Sequence, residues 1–470
     1  MTRRPARKTP RTRRTSAIAL SLGGVLTPPL PPSAGVRSGD VEKTVARLGG
    51  LVPALVSKGS PAGFLSLPGR RSVLAGVQSE ARYWRGRGID DVFHVGIGGS
   101  SLGAETLLRA LAHPQHNQLP AKARSGPRVH FVDNVDPETL APLLEWVDLS
   151  KAMIHVVSKS GGTVETAAGF QILRRAFETT GLAWPRHCVF TTGQGALRSL
   201  GAAEKIRMLD FPADIGGRYS ALTPSGLLTP AIAGIDVAGV FAGAQRFALR
   251  ARRVAPDANP ALVAAAVAWL MDTRRAKPIH VLMPYADALE PLSRWYVQLS
   301  GESLGKIRGR GARARHVGPT PLPARGTTDQ HSQVQLFIEG PADKLVMFVS
   351  TARDRQTLSV PGLPPAEYLD GVELGALLRA ERAGTEVALA RAGRPSLCWE
   401  IPEVSPGAVG ELLVALQLMT AAQAELYGID AYGQPGVEAG KVAAFALLGR
   451  EGYEDEAAAI EDGKPPTWRI

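Results

Sequence analysis

The sequence predicts an α/β protein: two tandem, doubly wound parallel-sheet domains followed by a C-terminal helical arm. Three observations carry that prediction. Short apolar runs at residues 92–95, 129–132, 153–157, 188–191 and 206–209 alternate with helix-like segments, the pattern of parallel strands joined by crossover helices. A second series follows the long apolar stretch 226–240, with runs at 279–283, 345–349 and 397–401. Residues 409–427 then place Leu412, Leu416, Met419 and Leu426 on helical spacing, which reads as a core-packed helix with the arm beyond it. The boundaries drawn are a basic, Pro-rich extension over 1–40, a first domain over 41–225, a second over 226–430 and the arm over 431–470.

Composition agrees with that plan. At roughly 150 residues per domain, a chain of 470 residues holds two to four units. Hydrophobic residues make up 44% and charged residues 21%, enough apolar surface for sizeable cores, which excludes global disorder. The 51 glycines and 36 prolines imply many turns. The two cysteines, Cys188 and Cys398, lie in apolar runs that read as buried strands, so neither a disulfide framework nor a Cys-based zinc site is available. Two apolar runs, 16–26 and 261–271, fall short of the roughly 18 residues a spanning helix needs. The body is therefore expected to be soluble and cytoplasmic, with no membrane partner.

The formal charge of +11 is concentrated at the start. Arg3, Arg4, Arg7, Lys8, Arg11, Arg13 and Arg14 precede the first acid, Asp40, and supply more than half of the surplus. Interleaved with Pro and Thr, they read as a solvated, disordered extension rather than a nucleic-acid surface. Arg13 and Arg14 before the apolar run 16–26 also loosely imitate an export signal, but Pro28, Pro29, Pro31 and Pro32 stand where a small-residue cleavage site belongs.

Two segments point to an anion. In His94-Val95-Gly96-Ile97-Gly98-Gly99-Ser100-Ser101-Leu102-Gly103 a glycine-rich turn joins a strand run to a helical one. Glycines let the backbone approach an anion closely, and the following helix N-terminus offers free N–H groups. Counting from Gly96 and Gly98, the third glycine of a dinucleotide fingerprint would fall at Ser101, and no Walker Gly-Lys-Ser/Thr is present. In Val157-Ser158-Lys159-Ser160-Gly161-Gly162-Thr163-Val164-Glu165-Thr166, hydroxyls, an ammonium and two glycines crowd one strand end, a donor set suited to a phosphate monoester. Thr163 with Thr166 would also serve as a helix cap. Two such turns at the carboxyl ends of strands in one sheet would face a shared crevice.

With these segments the chain resembles the glucose-6-phosphate isomerase family, also called phosphoglucose isomerase, built from two sugar-isomerase domains. The match continues in order through Gly216-Gly217-Arg218-Tyr219-Ser220 with Gly226-Leu227-Leu228, then Gln-Leu-Ser-Gly-Glu-Ser-Leu-Gly-Lys from Gln298 to Lys306. It runs on through Thr328-Asp329-Gln330-His331-Ser332 with Gln335, and Gln434-Pro435-Gly436-Val437-Glu438-Ala439-Gly440-Lys441. The resemblance spans residues 45–450 and implies reversible isomerisation of glucose 6-phosphate and fructose 6-phosphate through a cis-enediol, in glycolysis and gluconeogenesis. It also implies a homodimer with shared active sites, and no metal or organic cofactor.

That chemistry needs a base to move a proton between C1 and C2, a group to open the ring and a cation beside the enediolate. By resemblance, Glu302 is the base. Gln298, four residues earlier, shares its helical face and would orient substrate or carboxylate; by pattern alone an ion pair of Glu302 with Lys306 would be the favoured reading, which the resemblance reverses. Arg218 would stabilise the enediolate with a fixed positive fork. His331 and Lys441 are assigned to ring opening, His331 reaching in from the neighbouring subunit. If the last helix begins early, Lys441 and Gln434 would share a face. The phosphate is placed with Gly99, Ser100, Ser158, Lys159, Ser160 and Thr163. His113 and His116 read as a solvated pair in a Pro/Gln loop, and no histidine cluster suggests a metal.

Two departures from the family pattern stand out. Gly301 precedes Glu302 where the family usually carries Met, and Ser160-Gly161-Gly162 replaces Thr-x-Thr or Ser-Thr variants. The run 308–315 carries Arg308, Arg310, Arg313 and Arg315; lacking aromatic residues for stacking, it reads as a surface or interface loop rather than a nucleic-acid site. Two alternatives stay open: a bifunctional phosphoglucose/phosphomannose isomerase, and a non-catalytic sugar-phosphate-binding regulatory protein.

Overall fold

The computed structural model describes residues 18–57, 62–253 and 255–463. The chain forms strands β1 (Ala19–Ser21), β2 (Asp91–Val95), β3 (Arg128–Val132), β4 (Ala152–Ser158), β5 (Cys188–Thr192) and β6 (Arg207–Asp210). It continues through β7 (Ile279–Pro284), β8 (Lys306–Arg308), β9 (Arg315–Val317), β10 (Thr320–Pro323), β11 (Lys344–Thr351) and β12 (Ser396–Ile401). Five of these make an all-parallel sheet ordered β3-β2-β4-β5-β6. Helices join its strands, and β2 and β4 are buried along their whole length, as parallel strands covered on both faces must be. Chain order reverses between β2 and β4, which opens a crevice at their carboxyl ends.

The second sheet runs β1-β12-β11-β7-β10 and is parallel except for β1. The fold is thus the two-sheet α/β architecture expected, and every strand run read from the pattern forms a strand. The structure adds the edge strands β1 and β10 and the short hairpin β8-β9, none of which has the length or alternation to stand out in sequence.

The extension expected over residues 1–40 requires correction. Residues 18–37 are part of the body: β1 pairs antiparallel with β12, with Ala19 opposite Glu400. Ile18, Val25, Leu30 and Val36 are buried, and the Ile18 N–H donates to the buried Glu411 carboxylate at 3.2 Å. Apolar side chains scattered among turn prolines escape a periodicity search, yet together they cover a sheet edge that would otherwise be open. The cationic residues 3–14 lie outside the described residues.

The helix Pro406–Tyr427 packs against the helices Val237–Arg253, Pro260–Arg275 and Glu290–Leu304 and is buried from Ala408 almost to its end. Its length and composition would let it cross a membrane, but 94% of that window is buried inside the protein, as befits a core helix. Close packing against Val237–Arg253 depends on missing side chains: a Cβ on Gly243 would lie 1.9 Å from the Gly407 carbonyl, and one on Gly410 2.0 Å from that of Val240. Cys188 and Cys398 are free, buried thiols. His116 corrects the expected solvated loop, since it is buried with Nε2 2.9 Å from the Pro127 carbonyl. Beyond the core helix come the helices Glu438–Leu447 and Glu454–Asp462, the C-terminal arm.

Candidate active site

Both glycine-bearing turns sit at the switch between β2 and β4. After β2, Gly98–Ser100 forms a single helical turn leading into the helix Leu102–Leu111. Gly98 has φ +58°, a conformation that favours glycine. A Cβ on Gly98 would stand 2.7 Å from Gln298 Nε2, and one on Gly99 2.2 Å from the Gly217 carbonyl. The turn is therefore wedged between the helix carrying Gln298 and the loop carrying Arg218. Ser220 Oγ holds it by donating to the Gly99 carbonyl at 2.7 Å.

After β4, Ser158 Oγ accepts from the Gly161 N–H at 3.1 Å and lies 3.3 Å from Thr163 Oγ1. Ser160 Oγ accepts from the Gly162 N–H at 3.3 Å. Thr163 is the N-cap residue of the helix Val164–Thr179 but makes no side-chain cap bond. The expected Thr cap is absent, which leaves the hydroxyl beside Ser158 and the first N–H groups of the helix uncapped by it. Lys159 crosses to the Arg218 loop, donating to the Ile215 carbonyl at 2.6 Å and the Ala213 carbonyl at 3.3 Å. Burial lowers its pKa against the attraction of Asp214.

Glu302 lies near the end of the helix Glu290–Leu304, on the rim of a cleft of about 680 Å³ that Lys306, His316, Asp430 and Gln434 also line. Its Oε1 accepts from Gln298 Nε2 at 2.9 Å, the partnership four residues apart that the sequence implied. Its Oε2 accepts from Arg218 Nη1 at 2.8 Å. Arg218 is 2% exposed, and every part of its fork is engaged. Nε donates to Ser303 Oγ at 2.9 Å, and Nη2 to the carbonyls of Ala431 and Gly433 at 2.8 and 2.9 Å. Nη1 also donates to Gln434 Oε1. The pairing of Glu302 with Lys306 does not form; Lys306 Nζ donates instead to the Gly433 carbonyl. A carboxylate with one edge on a buried cation and the other on an amide, open to a cleft, is placed to exchange a proton with a bound molecule.

Two of the predicted residues lie apart from this cluster. His331, in the first turn of the helix Thr328–Glu339, is exposed. Lys441 is exposed and ion-paired to Glu438 at 3.0 Å. The helix holding Lys441 begins only at Glu438, after a short turn Pro435–Val437, so Gln434 lies outside it and the expected shared face does not exist. Sequence reasoning missed Ser303, which aims Arg218, and Tyr219, whose hydroxyl lies 3.3 Å from Ser303 Oγ. The available signal was a hydroxyl residue, Ser303, directly beside Glu302 in the Gly-Glu-Ser segment. Among the described residues no group of three or more His, Cys, Asp or Glu is arranged to hold a metal ion.

The family model described as phosphoglucose isomerase matches residues 72–360. A glucose-6-phosphate isomerase of Rubrobacter xylanophilus is 42% identical over 427 residues, covering 89% of this chain and 96% of that protein. One from Thermus thermophilus is 40% identical over 392 residues, covering 82% and 89%. Among solved structures, a hypothetical protein of Thermus thermophilus superposes with a TM-score of 0.79 at 34% identity, over 92% of this chain and 99% of that one. A glucose-6-phosphate isomerase of Chlamydia trachomatis, 21% identical, shares the fold with a TM-score of 0.78 over 95% and 92%.

Proposed function

The chain belongs to the phosphoglucose isomerase family and is an aldose–ketose isomerase; on that premise we propose that Glu302 carries the proton in its reversible isomerisation of glucose 6-phosphate and fructose 6-phosphate. The observation that supports this most is the Glu302 carboxylate, held by Gln298 and Arg218 at the mouth of the cleft.

With the open-chain sugar bound, Glu302 takes the proton from C2 of the aldose, the C2–H electrons form the C1–C2 double bond, and the C1 carbonyl pair moves onto O1 to give the enediolate. Return of that proton to C1, with the C2 hydroxyl proton passing from O2 to O1, gives the ketose. The reverse direction starts at C1. Arg218 stabilises the negative charge that develops on the oxygens, and because its guanidinium is fixed by Ser303, Ala431 and Gly433, no reorganisation is needed at that moment. A base placed in this way contributes about 10² to 10⁴ in rate.

The phosphate is assigned to the two turns after β2 and β4, with Gly99, Ser100, Ser158, Ser160 and Thr163 as donors and Lys159 as the cation. Ring opening is assigned to His331 and Lys441 on their motifs. Both are exposed in one chain, the arrangement a second copy would use, and a homodimer that completes the cleft is part of the proposal. Mixing Glu302→Gln and His331→Ala chains tests it: restored activity supports a shared site, and none speaks against one.

A coupled dehydrogenase assay of fructose 6-phosphate conversion tests the function directly, and mannose 6-phosphate separates the bifunctional alternative. Binding of sugar phosphate with no turnover would favour the regulatory reading instead.

A further inference from the structure

Beneath the first phosphate turn lies a row of buried polar side chains that the reaction does not use. His94 on β2 and His155 on β4 are paired residues of adjacent strands, both fully buried. Their Nδ1 atoms each lie 2.8 Å from the same atom, Oγ1 of the buried Thr229 in the helix Pro224–Ile232. His155 Nε2 is 2.8 Å from Thr191 Oγ1 on β5, and His94 Nε2 is 2.8 Å from the Ser100 carbonyl.

The direction of every bond follows from valence. The Ser100 carbonyl only accepts, so His94 Nε2 carries the hydrogen. In a neutral ring His94 Nδ1 must then accept, and the single hydroxyl hydrogen of Thr229 goes to it. Thr229 Oγ1 therefore accepts from His155 Nδ1–H. His155 Nε2 is left as an acceptor and takes the Thr191 hydroxyl hydrogen. Burial keeps both rings neutral near pH 7, lowering the His94 pKa to about 4 against its bond to Ser100, and lowering that of His155 too.

We propose that His94, Thr229 and His155 are positioning residues: a one-way hydrogen-bond chain from Thr191 to the Ser100 carbonyl that fixes the turn Gly98–Ser100 in its phosphate-binding shape. The chain ties the turn to the strands β2, β4 and β5 of the first sheet and to the helix Pro224–Ile232. It demands opposite tautomers in the two histidines, with Nε2–H in His94 and Nδ1–H in His155. The inference rests on the assignment of that turn to the substrate phosphate.

Two measurements test it. Long-range ¹H–¹⁵N correlation of the histidine-labelled wild-type protein at neutral pH reads the tautomers without any substitution. Opposite tautomers in the predicted sense support the chain, while the same tautomer in both, or an imidazolium in either, overturns it. The second compares Thr229→Val, which removes the central hydroxyl, with Thr229→Ser, which keeps it, using inorganic phosphate as competitive probe. Thr229→Val is expected to raise the phosphate inhibition constant and the KM for fructose 6-phosphate by about tenfold, with kcat changed less than about twofold. Thr229→Ser should stay within about twofold of wild type in all three. Equal loss in both variants, or loss of kcat alone, would overturn the positioning role. Ser100→Ala separates the two layers of the argument: if it leaves phosphate binding intact, the turn itself is wrongly assigned. If it weakens phosphate while Thr229→Val does not, only the chain fails.

Discussion

Arg218 Nη1 donates to Glu302 Oε2 at 2.8 Å although the two residues are 84 positions apart and belong to different domains of the predicted plan. The bond is part of a saturated guanidinium environment, so the cation does two jobs: it orients the candidate base and pins the chain at Ala431 and Gly433.

Replacing Arg218 by Lys should therefore hurt twice. An ammonium cannot reproduce a fork that serves five partners, so kcat/KM should fall by at least about 10². Buried acceptors left unpaired cost about 1–3 kcal/mol, so thermal denaturation should show a matching loss of stability. Activity loss without destabilisation would mean that the carbonyl contacts contribute little.

Acid should weaken the fold before the carboxylates titrate. Burial depresses the pKa of His94 and of His280 to about 4, against roughly 6.5 for a free imidazole. Between those values the unfolded chain binds protons that the folded chain refuses, so stability is full above about pH 6.5 and declines as pH falls toward about 4. Each histidine would contribute on the order of 3 kcal/mol over the full window. Denaturant titrations across this range should show the decline, and His280→Leu should flatten it. An unchanged slope in that variant would remove His280 from the account.

Gly301 offers a simpler test. A Cβ there would meet nothing nearer than Pro321 Cγ at 3.8 Å, an ordinary contact, and glycine inside a helix costs roughly 0.5–1 kcal/mol relative to alanine. Gly301→Ala is expected to stabilise the protein by about that amount and to retain activity, measured by denaturant midpoint and turnover. A loss of turnover would show that the open space beside Glu302 is used.

Much of this site is legible in the sequence because its parts are local. The strand-turn-helix glycine segments, the Gln298–Glu302 spacing and the Gly-Gly-Arg segment each carry their chemistry within a few residues. What could not be read is long-range. The Arg218 contacts with Ala431 and Gly433, and the antiparallel docking of Ala19–Ser21 on β12, join segments that no local pattern connects. The face expected to be shared by Gln434 and Lys441 fails for a related reason. The spacing of Lys441 from Gln434 suits two helical turns, but the backbone between them starts its helix only at Glu438.

The docking of β1 leads to its own prediction. A chain beginning at Val41 would lose β1 and the buried side chains Ile18, Val25, Leu30 and Val36, exposing the β12 edge and the Glu411 carboxylate that the Ile18 N–H satisfies. Such a chain should melt well below the full protein or aggregate, since fully burying one side chain of this kind is worth roughly 1.5–3 kcal/mol. Equal melting temperatures would show that this segment adds nothing to the body.

The central claim is that Glu302 moves the proton between C1 and C2, and solvent exchange tests it most directly. Fructose 6-phosphate would be incubated with the protein in deuterated water and the sugar carbons followed by NMR, for wild type and for Glu302→Gln. The account predicts deuterium entering at C1 of the ketose and C2 of the aldose with wild type, and a loss of both exchange and turnover by about 10² or more in the variant, with the fold intact. Exchange that persists at the wild-type rate in Glu302→Gln would contradict it and place the base elsewhere.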